Sequence, residues 1–150
     1  MSHQNLFDAL RAAFPADLNQ IAIETDQGLC YSWRDLDRAS AMMANLFDSL
    51  DIPAHSRVAV QVEKSVEALI LYLATLRAGH VFLPLNTAYQ SAEIEYFVGN
   101  AEPAVVVCSG KNFGWVSKIA FQAGTRHVFT LNDDRTGTLL DRASAQNDRH

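Results

Sequence analysis

Short continuous apolar runs alternate with longer runs of helical spacing along most of this chain. Arg57–Val62, Val81–Leu85, Ala104–Cys108 and His127–Leu131 are brief and rich in Val, Leu and Phe. That pattern predicts strands covered on both faces, as in a parallel sheet. Between them, Leu36, Ala39, Met43, Leu46 and Leu50 recur at three- and four-residue steps, with Phe47 beside them. Val66, Leu69, Ile70, Leu73 and Leu76 do the same, and Leu71, Tyr72 and Ala74 widen that stripe until the helix is apolar nearly all round. Such a helix is expected to be buried on more than one side.

Local chemistry marks the ends of these elements. Ser32 with Asp35 three residues on reads as the start of the first long helix. Ser65 reads as the N-cap of the second, Glu67 and Arg77 suit the dipole at its two ends, and Gly79 stops it. Asp51 stands where a helix C-terminus favours a left-handed residue, a conformation Asp tolerates. Asn5–Phe14 is predicted as a short helix with Leu6, Phe7 and Leu10 on its apolar face and Pro15 past its end. Ile21–Thr25 and Leu29–Ser32 flank Asp26, Gln27 and Gly28 as a hairpin. Pro53–Ser56 is a turn. Ser91 is predicted to cap a helix running to Asn100, with Ile94, Phe97 and Val98 inward. Asn112–Ala123 is a helix burying Trp115, Val116 and Ile119. Thr138–Ala145 is a last helix, and Gln146–His150 is expected to fray.

Strand, helix and parallel strand in series predict an α/β fold: three layers, a mostly parallel sheet and flanking helices. One domain over residues 1–150 is expected at this length.

Composition removes several function classes. Hydrophobic residues make up 49% and charged residues 19% of the chain, and the net charge is −5. Lys and Arg total 12 and are dispersed, which is no footprint for nucleic acid. The apolar helical run is too short for a membrane span. Residues 1–20 lack a signal-peptide apolar region, so a cytoplasmic protein is expected. Cys30 and Cys108 read as two buried, reduced thiols.

Motif tests give no catalytic constellation. Ser109–Gly114 carries two glycines and Lys111 after a strand, but lacks the spacing and the Lys-Ser or Lys-Thr ending of a phosphate loop. No dinucleotide fingerprint is present. Asn132–Gly137 resembles the opening of a calcium loop, yet its twelfth position is Ala143, so it reads as a surface turn. Met42 and Met43 are core filling. His3, His55, His80, His127 and His150 have no local partner pattern, and His80 and His127, beside strands, read as structural. In open α/β sheets ligands meet the carboxyl ends of the strands. Asn86 and Thr87 therefore stand as candidate ligand positions against the simpler reading of a polar turn. Glu63 and Lys64 stand likewise against a solvated ion pair.

The order of elements resembles the N-terminal subdomain of the adenylate-forming enzymes: acyl-CoA synthetases, peptide-synthetase adenylation domains and luciferase. The residues that carry the resemblance are Leu29–Leu36 with the long helix after it, Arg57–Val60, Leu76–Gly79, Val81–Asn86, Glu93–Phe97 and Ala104–Val107. It extends from about Leu6 to Gln146. The run from Val60 through Tyr89 is similar to bacterial malonyl-CoA synthetases. The resemblance implies a subdomain of an ATP-dependent acid–thiol ligase. Members use ATP and Mg to convert a carboxylate to an acyl-adenylate, and a thiol, usually CoA, then displaces AMP. The family's phosphate loop, adenine- and Mg-binding motif, ribose-binding Asp and lid lysine are not found in this sequence, which is expected to end about where the phosphate loop would begin. No catalytic, cofactor-binding or metal residue is therefore carried over. The chain by itself is expected to lack ligase activity, to have the remainder of a synthetase as its partner, and to self-associate through apolar surface where that remainder is missing. A free-standing α/β module binding a small ligand or a protein, and an inactive gene remnant, stand as alternatives. Two departures from the family pattern fall in turns: Asp51 replaces a Gly before Ile52, and His55-Ser56 replaces Gly-Asp.

Overall fold

The computed structural model describes residues 5–150; His3 lies outside the described residues. In chain order the elements are α1 Leu6–Ala12, β1 Ile21–Glu24, β2 Cys30–Ser32, α2 Trp33–Ser49, β3 Arg57–Gln61, α3 Val66–Arg77 and β4 Val81–Pro84. They continue with α4 Ser91–Ala101, β5 Val105–Cys108, a single 3₁₀ turn Gly110–Asn112, α5 Phe113–Gln122, β6 His127–Thr130 and α6 Thr138–Ala143. Four strands form one parallel sheet in the order β4-β3-β5-β6. β1 and β2 form a separate antiparallel hairpin.

The sheet divides two cores. Successive residues of a strand point to opposite faces. Val58 and Val60 of β3 therefore join Val105 and Val107 of β5 against α2, α3 and α6, where Phe47, Leu71 and Leu139 are fully buried. Ala59, Val106 and Cys108 face the other way, onto Ile94 and Val98 of α4 and Val116 and Ala120 of α5. This is the three-layer, parallel α/β architecture expected from the alternation of patterns.

The caps predicted at Ser32 and Ser65 and the stop at Gly79 are present. The Ser32 hydroxyl accepts from the Asp35 N–H at 3.0 Å, and the Asp35 carboxylate accepts from the Ser32 N–H at 2.9 Å. The Ser65 hydroxyl accepts from Ala68 N–H at 3.0 Å, and Gly79 takes φ +80°. Asp51 adopts φ +55° as expected, and His55, where the family pattern has Gly, adopts φ +60°.

Several expectations need correction. Leu6 is 55% exposed; only Phe7 of α1 is buried, and Asn5 caps that helix in a box with Asp8. The buried face of α3 holds Ile70, Leu71, Ala74 and Thr75, while Leu69 is 40% exposed. The helix is thus open at Leu69, and on the edge strand β4 Val81, whose alternation places it on the opposite face of the sheet from α3, is exposed as well. Ser91 is the first residue of α4 rather than its cap. The extended backbone lies at Gln90, whose N–H donates to the Glu93 carboxylate at 3.1 Å. In α5, Trp115 and Ile119 are half-buried, and Val116, Ser117 and Ala120 make the contact with the sheet. Cys30 is exposed, because Tyr31, its neighbour on the hairpin, turns inward in its place.

Gln146–His150 does not fray. Asn45 Nδ2 donates to the carbonyls of Asn147 and Arg149 at 2.8 and 2.7 Å, Arg77 donates to the His150 carbonyl at 3.1 Å, and the His150 ring meets Asp48 at 2.7 Å.

Candidate ligand cleft at the carboxyl edge of the sheet

β3 and β4 end side by side, so the loops that follow them, 62–65 and 85–90, rise together at the carboxyl edge of the sheet. Glu63, Lys64, Asn86 and Thr87 from these loops border one cleft of about 790 Å³. Two residues from outside this pair of strands complete its polar wall: Lys111, after β5, and Asp133, after β6. Val60, Val62, Phe82 and Leu85 supply an apolar wall. A second cleft of about 520 Å³ adjoins it across Lys64 and Asp133, bounded by the hairpin, the start of α3 and Arg135.

The cleft brings together all four positions marked from sequence. One part of that reading is corrected. Among the described residues, Glu63 and Lys64 form no ion pair with each other or with any other residue; both are exposed at the rim. Asn86 is a polar turn residue as well: its side-chain oxygen accepts from Ala88 N–H at 2.8 Å. The two readings of Asn86 and Thr87, cleft wall and capped turn, describe the same loop.

Three further residues are not legible in the sequence as parts of a site. Lys111 stands out there only through a failed phosphate-loop pattern and Asp133 only through a failed calcium loop. Their convergence depends on the strand order, which hydropathy periodicity does not contain. The third is Gln61. Its side chain, 3% exposed, donates from Nε2 to the carbonyls of Asn86 and Tyr89 at 3.0 and 3.1 Å. A polar residue closing an otherwise apolar strand is the available signal.

The surroundings hold these loops in place. Asn132 accepts from Gly110 N–H at 2.7 Å, tying the loop after β6 to the loop after β5. Tyr31 of the hairpin donates to the buried Glu67 carboxylate of α3 at 2.9 Å. Burial, and beside it the Glu67 carboxylate, push the pKa of the Tyr31 phenol upward, while Arg135 acts against them. At the end of β5 the pKa of the Cys108 thiol is pushed up to about 12 by burial, so it stays protonated and unreactive.

The arrangement is one for binding. Lys64 and Lys111 offer fixed positive charge for an anionic group, and the apolar wall offers contact for a less polar one. Among the described residues, no three His, Cys, Asp or Glu side chains converge to hold a metal ion. No helix among the described residues is long and apolar enough to cross a membrane.

An open parallel sheet flanked by helices, with a polar cleft at its carboxyl edge, defines an α/β subdomain of the kind whose ligands meet the carboxyl ends of the strands. Residues 11–149 match the AMP-binding enzyme family, and the chain belongs to that family. It corresponds to the N-terminal portion of the acyl-CoA synthetase fold. Apo MatB from Rhodopseudomonas palustris superposes with a TM-score of 0.92 at 42% identity, covering 97% of this chain and 29% of that one. A benzoate CoA ligase from Burkholderia xenovorans LB400 has the same fold, with a TM-score of 0.84 at 18% identity. Tyrocidine synthase 1 of Brevibacillus parabrevis is 30% identical over 105 residues. The chain spans only 9% of that relative, and 1% of malpinin synthetase from Mortierella alpina, to which it is 38% identical over 82 residues.

Proposed function

We propose that these residues are the N-terminal subdomain of an ATP-dependent acid–thiol ligase that acts on malonate, with malonate, ATP and CoA giving malonyl-CoA, AMP and pyrophosphate. The observation that carries this reading is the 42% identity to MatB across 97% of the chain, against 16% and 18% to the anthranilate and benzoate ligases of the same fold. The resemblance of the Val60–Tyr89 run to malonyl-CoA synthetases, part of that similarity, points the same way. An ATP-bound form of MatB superposes equally well, with a TM-score of 0.91, which supports ATP as the activating nucleotide.

In this reading the subdomain binds and orients, and the reacting groups belong to the remainder of the polypeptide. The carboxylate attacks the α-phosphate of ATP in line, so positioning and charge neutralisation carry the rate. The contribution of this chain is a rigid sheet edge with two lysines beside it. The exposed apolar side chains of Leu69 on α3 and Val81 on β4 fit surfaces that the rest of the ligase covers.

The test is an assay of the complete polypeptide that contains these residues, with ATP, CoA and a panel of acids, followed by mass spectrometry of the thioester. Malonyl-CoA as the dominant product supports the proposal. Benzoyl-CoA, or pyrophosphate exchange driven by an amino acid, as the peptide-synthetase relatives would suggest, overturns it. Residues 1–150 alone are expected to give no malonate-dependent exchange.

A further inference from the structure

Gln61 is out of place by the logic of its own strand. The alternation of β3 aims position 61 at the α4–α5 core, beyond Ala59 and beside Cys108, its register partner on β5. An apolar side chain would be the stable choice there. Instead a buried amide sits with its Oε1 without a hydrogen-bond partner among the described residues, a costly arrangement for a buried acceptor. The orientation of the amide is fixed by its neighbours, since a flipped group would press Oε1 against two carbonyl oxygens.

The return for that cost lies in the loop it holds. Both acceptors of Nε2 belong to the turn that forms the cleft wall after β4. The same turn is fastened by the Asn86 side chain to Ala88 and by Tyr89 N–H to the Asn86 carbonyl at 3.0 Å. Tyr89 stacks on Phe97 of α4, with ring centroids 5.1 Å apart and planes at 16°. Among the described residues, Gln61 is the one side chain that ties this turn to the interior of the sheet by hydrogen bonds. We propose that Gln61 is a positioning residue: it fixes the Asn86–Tyr89 turn in the conformation that receives one substrate of the ligase, and it acts through the turn without touching that substrate. The inference rests on the functional reading above.

Gln61→Met keeps nearly the same volume and removes the donor. In the complete ligase it is expected to raise KM for one of the three substrates about tenfold, with kcat and the other two KM values within about twofold. Gln61→Glu is expected to show the same defect near neutral pH and to recover in part as the pH falls, because only the protonated carboxyl can donate to a carbonyl. Unchanged KM values, a uniform loss of activity, or a Gln61→Met protein that fails to fold would each overturn the proposal in favour of a purely structural amide. If the wild-type polypeptide makes no thioester, the functional reading fails separately, and the clamp is then read by amide exchange at Ala88 and Tyr89. Faster exchange in Gln61→Met supports the clamp, and unchanged exchange overturns it.

Discussion

The two ends of the parallel sheet leave different amounts of room around awkward backbone. At the amino end, Asp51, His55 and Glu102 take positive φ, as do Gly79 and Gly124, where an added Cβ would meet nothing within 4 Å. At the carboxyl end, the loop after β6 places Arg135 at φ +65° and then reaches Gly137 at φ +139°. A Cβ at Gly137 would lie 2.3 Å from the Thr130 carbonyl oxygen and 2.7 Å from its carbon. The three non-glycine residues there sit in the left-handed well, which a side chain can occupy at a modest cost. The Gly137 conformation and its contact leave no such room. The amino end is thus tolerant, and the carboxyl end, where the cleft lies, is tightly specified.

Gly137→Ala should break the comparison most sharply. The new methyl group meets backbone on β6, which cannot move aside as a side chain would. We expect a loss of about 3 kcal/mol or more, typical of strain at a special backbone position. Denaturant unfolding of the wild type and the variant measures it. A loss below about 1 kcal/mol would mean that the loop bearing Asp133 and Arg135 relaxes freely and that the carboxyl edge is not rigid.

The second prediction concerns protons and sits at the amino end. His80, between α3 and β4, is buried with its ring edge-on to Phe47 and its Nδ1 without a hydrogen-bond partner among the described residues. Burial lowers its pKa; Asp48 acts against this and His55 with it. The unfolded chain therefore binds more protons than the native one between the folded pKa and about 6.5. Stability is full above that range and falls as pH drops through it, with a slope of at most about 1.4 kcal/mol per pH unit for this histidine. The pKa of His127 is shifted downward as well, first by burial and then by Arg142 and Arg126, and adds a slope of the same sign. Urea midpoints between pH 5 and 8 are expected to show this slope, and His80→Gln to reduce it. A midpoint that rises on acidification would contradict the assignment.

The fold is legible in the sequence wherever chemistry marks an end or a period marks a face. The Ser32–Asp35 box, the Ser65 cap, Gly79 and the four apolar strands are all local signals. What fails does so for identifiable reasons. Spacing alone puts Leu69 in the core because α3 is apolar nearly all round, and such a helix carries little information about which side turns inward. The tail of residues 146–150 reads as frayed because its partners, Asn45, Asp48 and Arg77, lie on other elements far away in sequence. The cleft divides in the same way. Glu63, Lys64, Asn86 and Thr87 follow from one rule about strand ends, while Lys111, Asp133 and Gln61 require knowing which strands are neighbours.

The smallest predicted effect tests the tolerance of the amino end directly. Asp51 and His55 stand where the family pattern carries glycine, and the structure gives both a left-handed backbone. Glycine adopts that conformation without the clash that a Cβ brings, but it also loses more freedom on folding. Asp and His are both enriched there among non-glycine residues, and the short Asp side chain suits the conformation better than the bulkier imidazole. Among the described residues neither side chain has a hydrogen bond to lose, and both are exposed. His55→Gly is accordingly expected to raise stability by about 1 kcal/mol and Asp51→Gly by roughly half as much. Differential denaturation of the two variants checks the order as well as the sign. If both destabilise, these turns are held by contacts the backbone angles do not reveal, and the amino end is as tightly specified as the cleft.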